Sequence, residues 1–114
     1  MLLAAGGPEP KAPGQRLRKF QVTARMTAGP YPGLTNDRRS NFQAAIAATH
    51  RTGYLKAPAV RWDMLDEATI TIECEAHEPS TAAETVRSII RRNAEVVAHL
   101  GVREIEIISI SPTG

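Results

Sequence analysis

The apolar residues of this chain change their spacing in a fixed order, and that order limits the possible folds more than any other feature. From Phe20 to Met26 every second residue is apolar, which is the spacing of a strand with one buried face. Other segments repeat their apolar residues every three to four positions, the spacing of a helix packed on one side. The succession predicts elements in the order β-α-β-β-α-β.

The first helix is predicted over about residues 36–52. Proline and glycine residues between positions 28 and 33 interrupt the preceding strand, and Thr35 and Asn36 can cap a helix that follows. Phe42 and Ile46 then fall on one helical face, and Gly53 is placed to end the helix.

The middle of the chain predicts a β-hairpin and a second helix. Residues 60–64 and 68–76 both alternate, and a short polar turn separates them. Pro79 stops the second of these strands. The segment Thr81–Glu84 has the pattern of a capping box and opens an amphipathic helix, which Gly101 is expected to end.

With a last strand over residues 102–110, this order predicts an α+β fold. It is the order of the ferredoxin-like βαββαβ sandwich, a four-stranded antiparallel sheet with two helices on one face and an expected strand order of 4-1-3-2. We expect a single domain over residues 19–112. Because many unrelated functions use this fold, the topology alone predicts little about activity.

Residues 1–18 are predicted to form a disordered basic tail, because they are rich in glycine, proline and alanine and show no hydrophobic period. The chain through Lys19 holds four basic residues and one acidic residue, giving +3. The remainder holds ten basic and eleven acidic residues, giving −1. Any electrostatic attraction to nucleic acid or another anionic partner would therefore come from the tail.

The cysteine content and the distribution of charge bear on the compartment. The single cysteine, Cys74, cannot form an intrachain disulfide and is too few for a zinc site, which favours a reducing, cytoplasmic compartment. The apolar start of the chain is too short for a signal peptide and lacks its positive charge. Charged residues interrupt every stretch long enough to span a bilayer, so we expect no membrane segment.

The segment 28–39 is the best candidate for a ligand site. Backbone amides at a helix N-terminus can bind a phosphate or carboxylate together with Arg38 and Arg39, and Tyr31 and Asn36 complete the candidate site. The alternative is a rigid connector that ends in a helix cap. Enzymes of the acylphosphatase type use a loop at this place on the same fold. Their glycine-rich phosphate loop with its arginine, and their strand-borne asparagine, are missing from this sequence.

The predicted outer face of the sheet carries acidic residues and a histidine, which have the chemistry of metal ligands. They alternate along the third and last strands and are Glu73, Glu75, His77, Glu104 and Glu106. The alternative is a solvated polar face partly neutralised by Arg25, as is typical of antiparallel sheets. We therefore predict no metal site and no cofactor. A mechanism with paired carboxylates would also need a cleft, which a flat sheet does not provide.

In the last strand the alternation of apolar residues fails. If Ile105 and Ile107 face the helices, Ile108 and Ile110 should face outward. Either a β-bulge near Ser109 resets the pattern, or the outer face becomes apolar and is covered by another subunit. The second alternative makes Ile108, Ile110 and Arg25 candidate interface residues.

These patterns favour a small non-catalytic domain that self-associates, or docks on a larger protein, through its sheet face. The alternative is a sensor or small enzyme that binds a small molecule or anion at the segment 28–39. Regulatory amino-acid-binding domains of the ACT type share the order of elements and bind ligands between subunits, so this alternative also implies an oligomer. Nucleic-acid binding through the tail is a third, weaker hypothesis.

Overall fold

The computed structural model describes residues 17–29, 36–49 and 58–113. Strand β1 spans Arg18–Ala28, helix α1 Asn36–Ala47, strand β2 Ala59–Met64 and strand β3 Glu67–Ala76. Helix α2 spans Pro79–Arg92 and continues into a π-helical turn, Asn93–Val97, before strand β4, Val102–Thr113. Over these residues the chain forms an α+β fold with a four-stranded antiparallel sheet and two helices, which confirms the predicted class.

The four strands lie in the order β2-β3-β1-β4, so that β1 and β3 are central and β2 and β4 lie at the edges. The register pairs Val22 with Ile72 on one face of the sheet and Thr23 with Thr71 on the other. Because side chains alternate between the two faces along each strand, one face is apolar and the other is polar.

The apolar face of the sheet and both helices bury their side chains in one cluster. Helix α2 contributes Ala82, Val86 and Ile90 at helical spacing. Helix α1 has two buried side chains, Phe42 and Ile46. Because α1 buries fewer side chains than α2, polar contacts near its N-terminus contribute a larger part of the free energy that attaches it to the sheet.

Both ends of α2 differ from the prediction. The Thr81–Glu84 capping box does not open the helix, which begins at Pro79. Proline suits this position because its missing N–H would have no partner in the first helical turn. At the other end Gly101 is not the terminating residue. The chain leaves the π-helical turn through His99, whose φ of 57° lies in the left-handed region.

Two further boundaries shift. Helix α1 ends at Ala47 rather than near residue 52, and Thr49 Oγ1 donates to a carbonyl oxygen of the last turn at 2.6 Å. Gly53, the predicted terminator, lies outside the described residues, as do residues 1–16 of the predicted tail. Arg18, which the prediction placed in the tail, begins β1, and its guanidinium lies 5.0 Å from the centre of the Phe20 ring.

A β-bulge in β4 explains the broken alternation of its isoleucines. The pairing with β1 shifts between Ser109 and Ile107, which leaves Ile108 as an extra residue on β4. Beyond the bulge the register places Ile110 opposite Val22, and Ile110 packs against the apolar cluster. Of the two alternatives, the strand adopts the β-bulge, and Ile110 lies on the core side of the sheet rather than facing outward.

Candidate functional site at one end of the sheet

Several segments of the chain meet at one end of the sheet. The backbone N–H of Ala28, at the end of β1, donates to the Asp66 carbonyl oxygen in the β2–β3 turn at 2.8 Å. The next N–H, of Gly29, donates to the Gly101 carbonyl oxygen before β4 at 3.0 Å. We call this region the loop end. It comprises residues 28–29, 36–43, 62–67 and 93–101.

Two arginines attach the start of α1 to the rest of the loop end. Arg38 Nη1 donates to the His99 carbonyl oxygen at 3.2 Å, and Arg39 Nη1 donates to the Leu65 carbonyl oxygen at 3.2 Å. Arg39 Nη2 also donates to Asn36 Oδ1. Since main-chain carbonyl groups accept the two longer-range bonds, the side chains of His99 and Leu65 can change without removing either acceptor.

The structure brings together two of the four residues predicted to bind a ligand. Asn36 and Arg39 are hydrogen-bonded to each other, whereas Arg38 reaches the connection between α2 and β4. Tyr31 lies outside the described residues. The binding of an anion by all four residues therefore stays a prediction, while Arg39 belongs to a surface that continues along α1.

Trp62 on β2 is the aromatic residue beside Arg39. Its ring meets the Phe42 ring edge-on, with centroids 6.1 Å apart and an interplanar angle of 70°. The guanidinium carbon of Arg39 lies 5.7 Å from the Trp62 ring centroid, within the range of a cation–π interaction. Trp62 is half-buried, and its indole Nε1 has no hydrogen-bond acceptor among the described residues. These contacts hold the guanidinium in one orientation.

A shallow groove lies between α1 and β2 beside this arginine, and we call it the Arg39 groove. Its volume is about 290 Å³, and Trp62 forms one side. The other side is a row of polar side chains at positions i, i+3, i+4 and i+7 of α1, a spacing that places them on one helical face. They are Asn36, Arg39, Ser40 and Gln43. Ser40, Gln43 and Trp62 are not among the residues predicted from the sequence. The helical spacing identifies Ser40 and Gln43, whereas no local pattern connects Trp62 to α1.

Arg39 has no carboxylate partner among the described residues. The ion pairs of that part of the chain involve other arginines, namely Arg25, Arg61, Arg87 and Arg91. No acidic side chain lines the groove. The sequence segments outside the described ranges contain one acidic residue, Glu9. In the described residues the half-buried Arg39 guanidinium is thus hydrogen-bonded to neutral acceptors and forms no salt bridge.

Apolar side chains at the loop end are exposed to solvent. They belong to the tip of the β2–β3 hairpin and to the π-helical turn, and their exposed fractions are 64% for Met64, 63% for Leu65, 65% for Val96 and 51% for Val97. We call these four residues the apolar rim. The described residues include two other large exposed hydrophobic side chains, Leu17 and Ile108. A concentration of exposed apolar side chains in one region is typical of an interaction surface.

The π-helical turn determines how α2 ends beside α1. The backbone N–H of Ala98 donates to the Asn93 carbonyl oxygen at 3.0 Å, and that of Leu100 donates to the Ala94 carbonyl oxygen at 2.8 Å. His99 reverses the chain between these bonds with its left-handed backbone. Such turns are rare and often occur at functional sites. Here the turn carries half of the apolar rim.

Arg25 forms the centre of an ion-pair network on the polar face of the sheet. Its guanidinium nitrogens lie 4.0 Å from a Glu67 oxygen and 3.5 Å from a Glu106 oxygen. Because these pairs are largely exposed, each stabilises the fold by about 1 kcal/mol or less. Of the predicted interface residues, Arg25 and Ile108 are exposed, whereas Ile110 is half-buried on the opposite face. No group of three acidic, histidine or cysteine side chains in the described ranges is arranged to hold a metal ion.

Cys74 lies in the apolar cluster, as its position in the alternating pattern of β3 predicts. Its Sγ is 3.9 Å from the Ala82 carbonyl oxygen of α2. Burial raises the pKa of the Cys74 thiol, and the negative charge of Glu73 raises it further. Because the thiolate is disfavoured, this cysteine lacks the properties of a catalytic nucleophile.

No protein-family model, curated protein or solved structure matches this chain. In the described part of the chain, neither helix combines the length and the apolar composition that a bilayer-spanning segment needs.

Proposed function

We propose that this chain is a small non-catalytic interaction domain that self-associates or docks on a larger protein. The order of its elements and the strand order β2-β3-β1-β4 support a ferredoxin-like arrangement for the domain. The observation that carries the proposal is the apolar rim, because it holds four of the six large hydrophobic side chains that are exposed in the described residues.

The distribution of apolar side chains favours the loop end over the sheet face as the contact surface. The sheet-face prediction depended on Ile108 and Ile110 pointing the same way, and the bulge separates them. The polar face carries charged side chains such as Arg25 and Glu106, which is typical of a sheet face exposed to water.

The apolar rim stands on a well-connected support. The hairpin tip is joined to β1 by the bond from Ala28 to Asp66, and to α1 by the bond from Arg39 to Leu65. A surface that is ordered before association loses less conformational entropy when it binds. The hairpin half of the rim is therefore suited to forming an interface without rearranging.

Light scattering over a range of protein concentrations tests self-association. If the rim forms the contact, the double variant Leu65→Ser and Val97→Ser should dissociate the assembly. Burial of each such side chain contributes about 1.5–3 kcal/mol, so association should weaken at least about a hundredfold. The matched control is Ile108→Ser, which removes an apolar side chain exposed to 45% outside the rim and should leave the mass unchanged.

The reverse effects of the rim and Ile108 variants on the mass would place the contact elsewhere. Dissociation of the Ile108 variant, with no effect of the rim variant, would support the sheet-face prediction instead. A wild-type chain that is monomeric at every concentration would exclude self-association and leave docking on a different protein as the proposed role.

A further inference from the structure

The Arg39 groove, between α1 and β2, has the chemistry of a ligand site. We infer that it binds a small organic carboxylate with an apolar body, such as an aromatic acid. The inference goes beyond the interaction role and narrows the predicted anion site to residues that the structure brings together: Asn36, Arg39, Ser40, Gln43 and Trp62.

The carboxylate group of the ligand is inferred from the hydrogen bonds that Arg39 makes and from the N–H donors that it leaves unused. A guanidinium has five N–H donors, and two nitrogens of Arg39 donate to neutral oxygens, on Leu65 and Asn36. Donors therefore remain for an incoming carboxylate, which would form a charge-assisted pair with Arg39. Ser40 and Gln43 add neutral donors on the same face of α1. The position of Arg39 in the first turn of α1 also favours a negative ligand.

The apolar body is inferred from Trp62 and from the size of the groove. An aromatic or aliphatic group on the ligand can pack on the exposed part of the indole ring while the carboxylate meets Arg39. The volume of about 290 Å³ is close to the lower limit of about 300 Å³ that is usual for small-molecule sites. The groove therefore suits a single small molecule. An inorganic phosphate would leave the Trp62 side uncovered and has only one arginine in the groove lining to bind it.

Titration of the full chain with benzoate tests the inference, with the fluorescence of Trp62, the single tryptophan, as the signal. Benzamide is the neutral control of the same shape, and inorganic phosphate is the anion control without an apolar body. We expect a saturable change with benzoate and binding at least about tenfold weaker for either control, since a charge-assisted hydrogen bond is lost with one and ring packing with the other.

Variants of α1 locate the site. Arg39→Gln should weaken benzoate binding at least about tenfold. Because Arg39 also anchors α1, a thermal unfolding curve must show that this variant folds, and Gln43→Ala provides a second variant that leaves the Arg39 bonds intact. Gln43→Ala should weaken binding several-fold, whereas Asn41→Ala, an exposed position outside the groove lining, should not change it.

Four results would overturn the inference. They are the lack of a saturable response to benzoate, equal binding of benzamide, equal binding of phosphate, and unchanged binding in both the Arg39 and the Gln43 variants. None of these results bears on the apolar rim, which is tested by solution mass, so the two proposals fail independently.

Discussion

Replacing Gly101 with alanine tests the packing of the loop end most directly. A Cβ atom at Gly101 would lie 2.3 Å from the carbonyl oxygen of Gly29, a main-chain atom that cannot rotate away. Contacts of a Cβ atom shorter than 3.0 Å are essentially never seen. The backbone segments at Gly29 and Gly101 must therefore separate by about 0.7 Å to lengthen the distance from this Cβ to the Gly29 oxygen from 2.3 Å to 3.0 Å. That displacement also disturbs the 3.0 Å hydrogen bond from Gly29 N–H to the Gly101 carbonyl oxygen.

The size and the sign of the effect follow from three contributions. Forcing an extra methyl group into a packed site costs about 1–3 kcal/mol. Weakening the hydrogen bond costs up to about 1 kcal/mol. The third contribution has the opposite sign. Gly101 does not have a positive φ, so its backbone conformation is open to alanine. Alanine restricts the unfolded chain more than glycine does, and this effect alone would stabilise the protein by about 0.4–1 kcal/mol. The expected net result is a loss of about 2 kcal/mol in the free energy of unfolding.

Urea denaturation followed by circular dichroism and by Trp62 fluorescence measures this loss. With a slope of about 1–3 kcal/mol per molar urea, this loss of free energy should lower the midpoint by about 0.7–2 M. Because the unfolded-state effect alone would raise the midpoint, the two explanations predict opposite signs. An alanine variant as stable as the wild type would refute the close approach of Gly29 and Gly101.

Two further substitutions test other parts of the structure. Phe42→Ala should lower the free energy of unfolding by about 3–5 kcal/mol in the same urea assay, because Phe42 is fully buried and is one of the two core side chains of α1. A loss below about 1 kcal/mol would contradict this packing. Hydrogen bonds from Thr69 and Arg61 lower the pKa of Asp63 in the folded state. The Asp63 carboxylate therefore stabilises the folded state at pH values above its pKa in the unfolded chain. This stabilisation is lost as the pH falls through the folded-state pKa. Asp63→Asn should therefore flatten the fall in the urea midpoint below about pH 4, and parallel wild-type and variant curves would contradict this role.

Local patterns predicted most of the elements and the buried face of each. The alternation from Phe20 to Met26 and the helical spacing of Val86 and Ile90 identify the residues that the structure buries in the core. The direction of a side chain follows from the local backbone geometry, so these assignments do not depend on distant residues. The start of α2 was missed because both Pro79 and the Thr81–Glu84 pattern are compatible with a helix N-terminus, and packing selects between them.

The sequence by itself thus determined the class of fold, the core positions of the strands and the alternatives for the last strand. Only the tertiary structure decided that Ile108 forms a bulge, because the extra residue is defined by the pairing of β4 with β1. It also decided the loop end, where Arg38 and Arg39 bind carbonyl groups 61 and 26 residues away. Such contacts have no local signature, since they form only when burial of the shared core brings distant segments together.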